Sequence, residues 1–551
     1  MDSLARHSIW RTIAIAIVPY LVWRLLKRSR GKDPLADIPG PAPDNWLTGS
    51  FMKIFPMDSG GWEYHDGLVR EYGKTFKFKG LMGADVLYTY DERAVYHIVL
   101  KDQHSWEETR EFVRTNGRIF GIGLFSTMGE HHRRQRKLLN PVFSAAHIRD
   151  LTPTFYSVTQ RFTGSLAQLV SEGEKEIDLL PWLTRTALEL VAQSGFGYSF
   201  DTLEPDAREH PFAKTLKNLL CVDPGLVAAR NLIFPYVYNL GTPRFQRAVV
   251  NALPWKKLHE LRDMVDLTHK TSLEILEATR RAVGNGGNKE ERIAGGKDIM
   301  TFMANMEASQ EDRLPEDELI ALISTMIFAA MDTTSNALSR LLVVLAQNPE
   351  VQDKLREEVV QSGEGLDYDT ITGLPYLDAI CRETLRLYSP IPFVFREAGE
   401  ANMVLPLLNP ITTTDGRKLQ NLVVPKHTVV LIQITQQNKD PDVWGPDATE
   451  WKPERWLSPL PLSVADARVP GIYSNILTFF GGSRSCIGFK FAQLEMKIVL
   501  SELIRNFRFT PGDKEIIWQL MPIVTPTTQD AKLTPAGVKT LRLPLNVKCI
   551  R

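Results

Sequence analysis

The sequence has 551 residues, 43% of them hydrophobic and 24% charged, with Lys+Arg and Asp+Glu balanced at 65 each. Near-zero net charge without a basic or acidic tail excludes a nucleic-acid-binding class, and the length allows a large core with a buried cofactor. The four cysteines, Cys221, Cys381, Cys486 and Cys549, are widely scattered and lack CxxC spacing, which excludes a disulfide scaffold or zinc module and points to a reducing compartment.

The first predicted element is an apolar run, Thr12–Trp23, bounded by Arg11 and Arg24. Twelve residues are short for a membrane span, but Ser8–Leu26 suffices if both arginines snorkel. Lys27, Arg28, Arg30 and Lys32 follow, and this excess of positive charge places the remainder of the chain in the cytosol. A cleaved secretory signal is the alternative, but the small residues of a cleavage site are missing. No later segment reads as long and apolar enough to span. Residues 1–30 are therefore expected to be a transmembrane signal-anchor with a basic flank, 31–50 a proline-rich linker, and 51–551 a single catalytic domain.

Alternation in "TFKFKGLMGADVLYTY" (Thr75–Tyr90) predicts strands. From about Ser105 to Ser389 the pattern is mostly helical, broken by a Gly/Asn/Lys-rich loop at Gly284–Lys297. Within it, "GEHHRRQRKLLNPVF" (Gly129–Phe143) has a basic run that reads equally as a solvated face.

The longest helical signal opens at "LPEDE" and ends at Asn348-Pro349. From Pro315 to Gln347 it would span about 50 Å. It is apolar almost all round, so it is predicted to be buried. Asp332, Thr333, Thr334 and Ser335 interrupt its middle. Buried polar groups cost several kcal/mol without partners. A threonine can bond the carbonyl one turn back, but an Asp-Thr-Thr run marks a candidate site.

Further on, "ETLR" places Glu383 and Arg386 three apart on one helix face. Strands are predicted in Met403–Thr435, with Asp415-Gly416 as a hairpin turn, and short strands again from Arg508.

Between them, "TFFGGSRSCIGFKFA" sets Cys486 among Gly481, Gly482 and Gly488, with Ile487, Phe491, Leu494 and Ile498 at helical spacing behind it. The cysteine is expected at or just before a helix start, where the dipole, neighbouring N–H groups and Arg484 favour a thiolate. A nucleophile would want a histidine base, and the motif has none. A lone thiolate framed by glycine suits an axial haem ligand, although a single cysteine in a glycine loop is also compatible with an inert core thiol.

The string Phe479, Gly482, Arg484, Cys486, Gly488 resembles the haem-binding signature of the haem-thiolate monooxygenases, the cytochrome P450 family. "ETLR" resembles the family's E-x-x-R, Arg455 of "PERW" the third member of that ion cluster, and "AAMDTT" (Ala329–Thr334) the A/G-G-x-D-T-T of its central helix. Ala330 stands where the family usually has glycine. The resemblance runs from about Pro39 to the C-terminus, and the layout is similar to membrane-bound fungal members.

The resemblance implies a mainly α fold with smaller β regions (α+β), a long central helix over the haem, and an N-terminal membrane anchor. It implies haem b with Cys486 as axial ligand. His132, at the family's tryptophan position, Arg136, Arg396 and Arg484 are implied propionate partners. Glu383, Arg386 and Arg455 are the implied structural ion cluster, and Asp332 and Thr333 the implied proton relay. Implied partners are NADPH-cytochrome P450 reductase, cytochrome b5, dioxygen and a lipophilic substrate: terpenoid, sterol or other secondary metabolite. The implied location is the endoplasmic reticulum membrane, with the domain facing the cytosol. By position, the pocket draws on Trp106–Met128, Pro224–Tyr238, Phe328, Ala329, Ile391–Phe395 and Ile523–Thr525. "NLIFPYVY" (Asn231–Tyr238) reads either as membrane-dipping or as core. Competing readings are a fatty-acid or xenobiotic hydroxylase, a haem-thiolate isomerase or dehydratase needing no reductase, a soluble type that takes electrons directly from a nicotinamide cofactor, and a tethered binding protein without haem.

Overall fold

The computed structural model describes residues 33–56, 58–207, 210–220, 223–284, 314–534 and 538–550. The expected anchor, its basic flank, Cys221 and nearly all of the Gly284–Lys297 loop lie outside the described residues.

The elements that position the site are, in chain order, α1 (Gly60–Tyr72), β1 (Thr75–Lys79), β2 (Asp85–Thr89), β3 (Trp106–Glu107), α2 (Gly129–Leu139), α3 (Ala145–Leu169), β4 (Lys175–Asp178) and α4 (Leu179–Phe196). Then come α5 (Pro211–Leu220), α6 (Lys256–Gly284), α7 (Glu316–Gln347) and α8 (Pro375–Leu387). The strands β5 (Phe393–Ala398), β6 (Met403–Thr412), β7 (Lys418–Val424) and β8 (Val429–Gln433) follow. The chain closes with α9 (Phe489–Asn506), β9 (Phe507–Pro511), β10 (Ile516–Gln519), β11 (Thr525–Thr528) and β12 (Pro544–Cys549). Helices dominate, with strands towards both ends.

α7 is 32 residues long, about 48 Å at 1.5 Å per residue. Three acidic residues occupy its first turn, opposite in sign to the helix dipole there. Almost every later side chain is buried, because α4 lies along it and α6, α8 and α9 pack on its other sides. α4 is itself apolar nearly all round and almost wholly buried. This corrects one expectation: by length and composition α7 does qualify as a membrane span, the one such helix among the described residues. Most of its apolar window is buried inside the protein, so it is a core helix.

A five-stranded sheet in the order β1-β2-β8-β5-β3 forms a second layer. Its β2–β8 pairing is parallel and the other pairings are antiparallel. Residues 33–50 pack against this layer. Leu35 and Ile38 are each 2% exposed, and the Lys77 N–H donates to the Pro39 carbonyl at 3.0 Å. β6 and β7 form the hairpin around Asp415-Gly416. Among the described residues, two strands interrupt the stretch read as helical, β3 at its start and β4 within it; β4 pairs with β12, which also pairs with β9. The Asp178 carboxylate joins this sheet to the helical layer, accepting from the Leu180 N–H at the start of α4 and from the Leu543 N–H at 2.8 Å.

Candidate functional site

The loop before α9 holds Cys486 where the sequence suggests, with Gly488 capping the helix. Its N–H donates to the Phe479 carbonyl at 2.9 Å, closing the turn. Gly482 has φ +63°, and a Cβ there would lie 2.1 Å from the Val99 carbonyl, so only glycine fits. Gly488 differs: a Cβ would meet nothing closer than a Phe143 ring atom at 3.8 Å. Of these two glycines, the fold itself needs only the first.

Cys486 is accessible by surface yet surrounded by protein mass. Both hold because the thiol opens on an interior space. Burial pushes the thiol up from its ordinary value, while the Gly488 N–H and Arg136 favour the thiolate. The cation acting on the sulfur is thus Arg136, where the motif alone points to Arg484. Arg136, on α2, donates to the Ser485 carbonyl at 2.6 Å and to Ser485 Oγ at 2.9 Å.

Arg484 donates to the Leu124 and Thr127 carbonyls at 3.2 and 2.9 Å. Arg396 on β5 pairs with Glu108 at 3.0 Å and lies 4.7 Å from the Phe480 ring centroid. Repulsion from Arg396 and Arg136 reaches Arg484, so the three guanidiniums converge. His132, on α2, is 6% exposed, and its imidazole makes no hydrogen bond to a described residue. Burial, then Arg484 and Arg136, push its imidazole down to about 3, so the ring is neutral. Glu108 was missed in the sequence. Its signal was the acidic pair Glu107-Glu108 inside the loop already assigned to the pocket.

On α7, the Thr333 hydroxyl donates to the Ala329 carbonyl one turn back at 2.7 Å. Phe328, Ala329, Ala330 and Thr333 keep accessible surface on a helix otherwise buried around them, so they form a stripe facing interior space. Asp332 points elsewhere and is 3% exposed. Burial raises its carboxyl above the ordinary value, opposed by Lys217 of α5 and by Asn336. Phe120 and Phe328 meet with ring centroids 4.9 Å apart, and Arg118 donates to the Tyr238 carbonyl at 2.9 Å. The segments 106–128 and 224–238 are therefore joined beside the stripe.

Glu383, Arg386 and Arg455 come together as a buried cluster. Arg386 binds Glu383 through two N–H groups at 2.7 and 2.9 Å, and neither side chain is exposed. Arg455 approaches Glu383 at 3.4 Å, and the Trp456 indole N–H donates to it at 2.9 Å. Arg386 also donates to the carbonyls of Asn438 and Ala448. Every strong donor thus has an acceptor, which a buried charge requires.

These residues suit a flat, anionic, metal-bearing group. They offer a soft sulfur ligand facing interior space, a glycine with room above it, three converging cations with Glu108 as the near carboxylate, and a buried imidazole without a partner among the described residues.

The Cytochrome P450 family model matches residues 39–531. The chain is a cytochrome P450. It is 45% identical over 526 residues to "Cytochrome P450 monooxygenase 91" of Postia placenta, covering 94% of this chain and 96% of that protein. It is 41% identical over 519 residues to "Cytochrome P450 monooxygenase 81" of the same fungus, covering 93% of each. It is 37% identical over 533 residues to "Ganoderic acid synthetase CYP5150L8" of Ganoderma lucidum, covering 95% of this chain and 96% of that protein. This P450 therefore belongs to an oxidoreductase family of haem-thiolate enzymes that use dioxygen, a redox partner and small-molecule substrates.

Proposed function

We propose that this P450 is a haem b monooxygenase that inserts one atom of dioxygen into a lipophilic substrate, a terpenoid, sterol or other secondary metabolite. Electrons would come from NADPH through a cytochrome P450 reductase, with cytochrome b5 as a second donor. The observation that carries the reading is the Cys486 thiol, deep in the chain yet open on interior space beside converging guanidiniums.

Haem, when bound, supplies the redox chemistry that activates dioxygen. Cys486 Sγ would hold its iron, and the Gly488 N–H and Arg136 favour the charged form that ligates. Phe479 and Gly482 shape the turn that presents the sulfur, and Gly488 leaves room for a flat face to approach. Arg136, Arg396, Arg484 and neutral His132 would hold the propionates by charge and N–H donation. Thr333 Oγ1, on the accessible stripe, would hand on a proton, and Asp332, whose burial favours its protonated form, would resupply it. Glu383, Arg386 and Arg455 hold the segments around α8 rigid.

The Phe120–Phe328 wall supports an apolar substrate, since it offers area rather than charge. The chain would consist of a 1–30 anchor, a 31–50 connecting segment and a 51–551 catalytic domain on the cytosolic face of the endoplasmic reticulum. Ile233, Tyr236 and Leu240 are 57%, 81% and 60% exposed, an apolar patch suited to resting on lipid.

The test is a carbon monoxide difference spectrum of the reduced protein, followed by NADPH-dependent oxygen uptake with reductase present. A thiolate-type Soret band lost in Cys486→Ser, together with reductase-dependent uptake, is expected. No Soret band, or oxygen uptake indifferent to reductase, would overturn the proposal.

A further inference from the structure

A cavity of about 330 Å³ lies between α1, the second half of α7, the end of α8 and β10. It holds two cations that neither the ion cluster nor the Cys486 centre uses. Arg340 and Lys439 both line it, and both are otherwise surrounded by protein. Neither side chain makes an ion pair or hydrogen bond to a described residue. Both are half-buried, and a guanidinium and an ammonium that face a cavity with no acceptor beside them leave their donors free for one.

The geometry around Arg340 says what is missing. Its guanidinium carbon lies 3.4 Å from the Trp518 ring centroid and 4.2 Å from that of Tyr388. Aromatic rings cover guanidinium faces and leave the in-plane N–H groups free. Those edge donors match the two oxygens of a carboxylate. Lys439 lies 5.8 Å from the same Tyr388 centroid, so the cations flank one ring. Thr435 also lines the cavity. It is 4% exposed, and its hydroxyl has no partner among the described residues.

We propose that this cavity is a binding site for a small organic acid, whose carboxylate is held by Arg340, Lys439 and Thr435 while its apolar part lies against the aromatic wall. A monoanion fits better than a phosphate dianion. Asp66 also lines the cavity, tied by Gln436 at 2.6 Å, and its charge leaves a net of one positive with both cations protonated. Burial pulls Lys439 down to about 8, which an anion beside it would reverse. The cavity also touches Pro390 and Val524, and the Val524 N–H donates to the Pro390 carbonyl at 2.8 Å. The site therefore shares Val524 with the Ile523–Thr525 segment assigned to substrate and reaches Pro390, next to the Ile391–Phe395 segment.

The test is calorimetric titration of the haem-loaded protein with benzoate. The substrate pocket is filled beforehand by a bulky azole, clotrimazole, which ligates haem iron. One molecule of benzoate should still bind. Arg340→Gln should weaken it by about tenfold or more, and Thr435→Val or Lys439→Met by a smaller factor, with unchanged carbon monoxide spectra. Inorganic phosphate should bind more weakly than benzoate. Should Arg340→Gln not load haem, the Thr435→Val and Lys439→Met affinities decide. Benzoate binding abolished by the azole, indifferent to all three substitutions, or weaker than phosphate binding overturns the proposal.

Discussion

Arg136 grips Ser485 with both arms of its guanidinium, one on the carbonyl at 2.6 Å and one on the hydroxyl at 2.9 Å. Ser485 immediately precedes Cys486, so a residue on α2 fixes the height of the sulfur-bearing loop while its charge favours the thiolate. Lysine would keep the charge but lose the fork. Arg136→Lys should therefore lower haem content and thermal midpoint, by about 1–3 kcal/mol at the charge-assisted contacts. Soret absorbance per polypeptide and a melting curve measure both. Wild-type values for both would refute the clamp.

The Glu383 cluster makes a harsher prediction. Removing one member leaves Arg386 and Arg455 buried against each other's charge. Glu383→Ala should cost about 3–5 kcal/mol and abolish folding or haem loading. Chemical denaturation checks this, and full stability in that variant would count against the cluster.

The two glycines beside the sulfur should part company. Gly482→Ala forces a side chain into left-handed backbone and against Val99, so the fold should suffer. Gly488→Ala has space within the protein, so its melting temperature should stay close to wild type while haem content drops. Equal haem content in Gly488→Ala and wild type would show that no flat ligand approaches there.

Thr333 is the proton donor in the proposed reaction, so Thr333→Ala should lower product per NADPH by about tenfold or more and raise released peroxide. Thr333→Ser should recover most of the coupling. Unchanged coupling in the alanine variant would remove Thr333 from the relay.

His132 predicts a pH limb. Its folded-state value, about 3, lies below the ordinary value of about 6.5. As pH falls below 6.5, the unfolded chain takes up a proton that the folded chain refuses, so stability is lost from there down to about 3. His132→Gln should flatten that part of a stability-against-pH curve. An identical curve would assign the limb to other groups.

Much of this site could be read in advance where chemistry and spacing coincide. Glu383 and Arg386 share a helix face by spacing alone, and Asp332 with Thr333 stands out because an oily helix should not hold them. What escaped was whatever depends on distant partners. Glu108 reaches Arg396 from a different segment of chain. Arg340 reads as an ordinary cation on a helix until Tyr388 and Trp518 fold over it. The stretch Lys175–Asp178 is too charged to look like a strand, and only β12 makes it one. Leu35 and Ile38, lost among prolines, become core residues once the sheet is present to cover them.

The pairing of β4 with β12 also bears on how the molecule is made. Asp178 waits for the Leu543 N–H, 365 residues further along the chain. During synthesis the β4 region therefore carries an unzipped seam until β12 leaves the ribosome, and so distant a closure is slow to find. Nascent chains stalled short of residue 544 should be open to protease near 175, and β12 would then act as the latch.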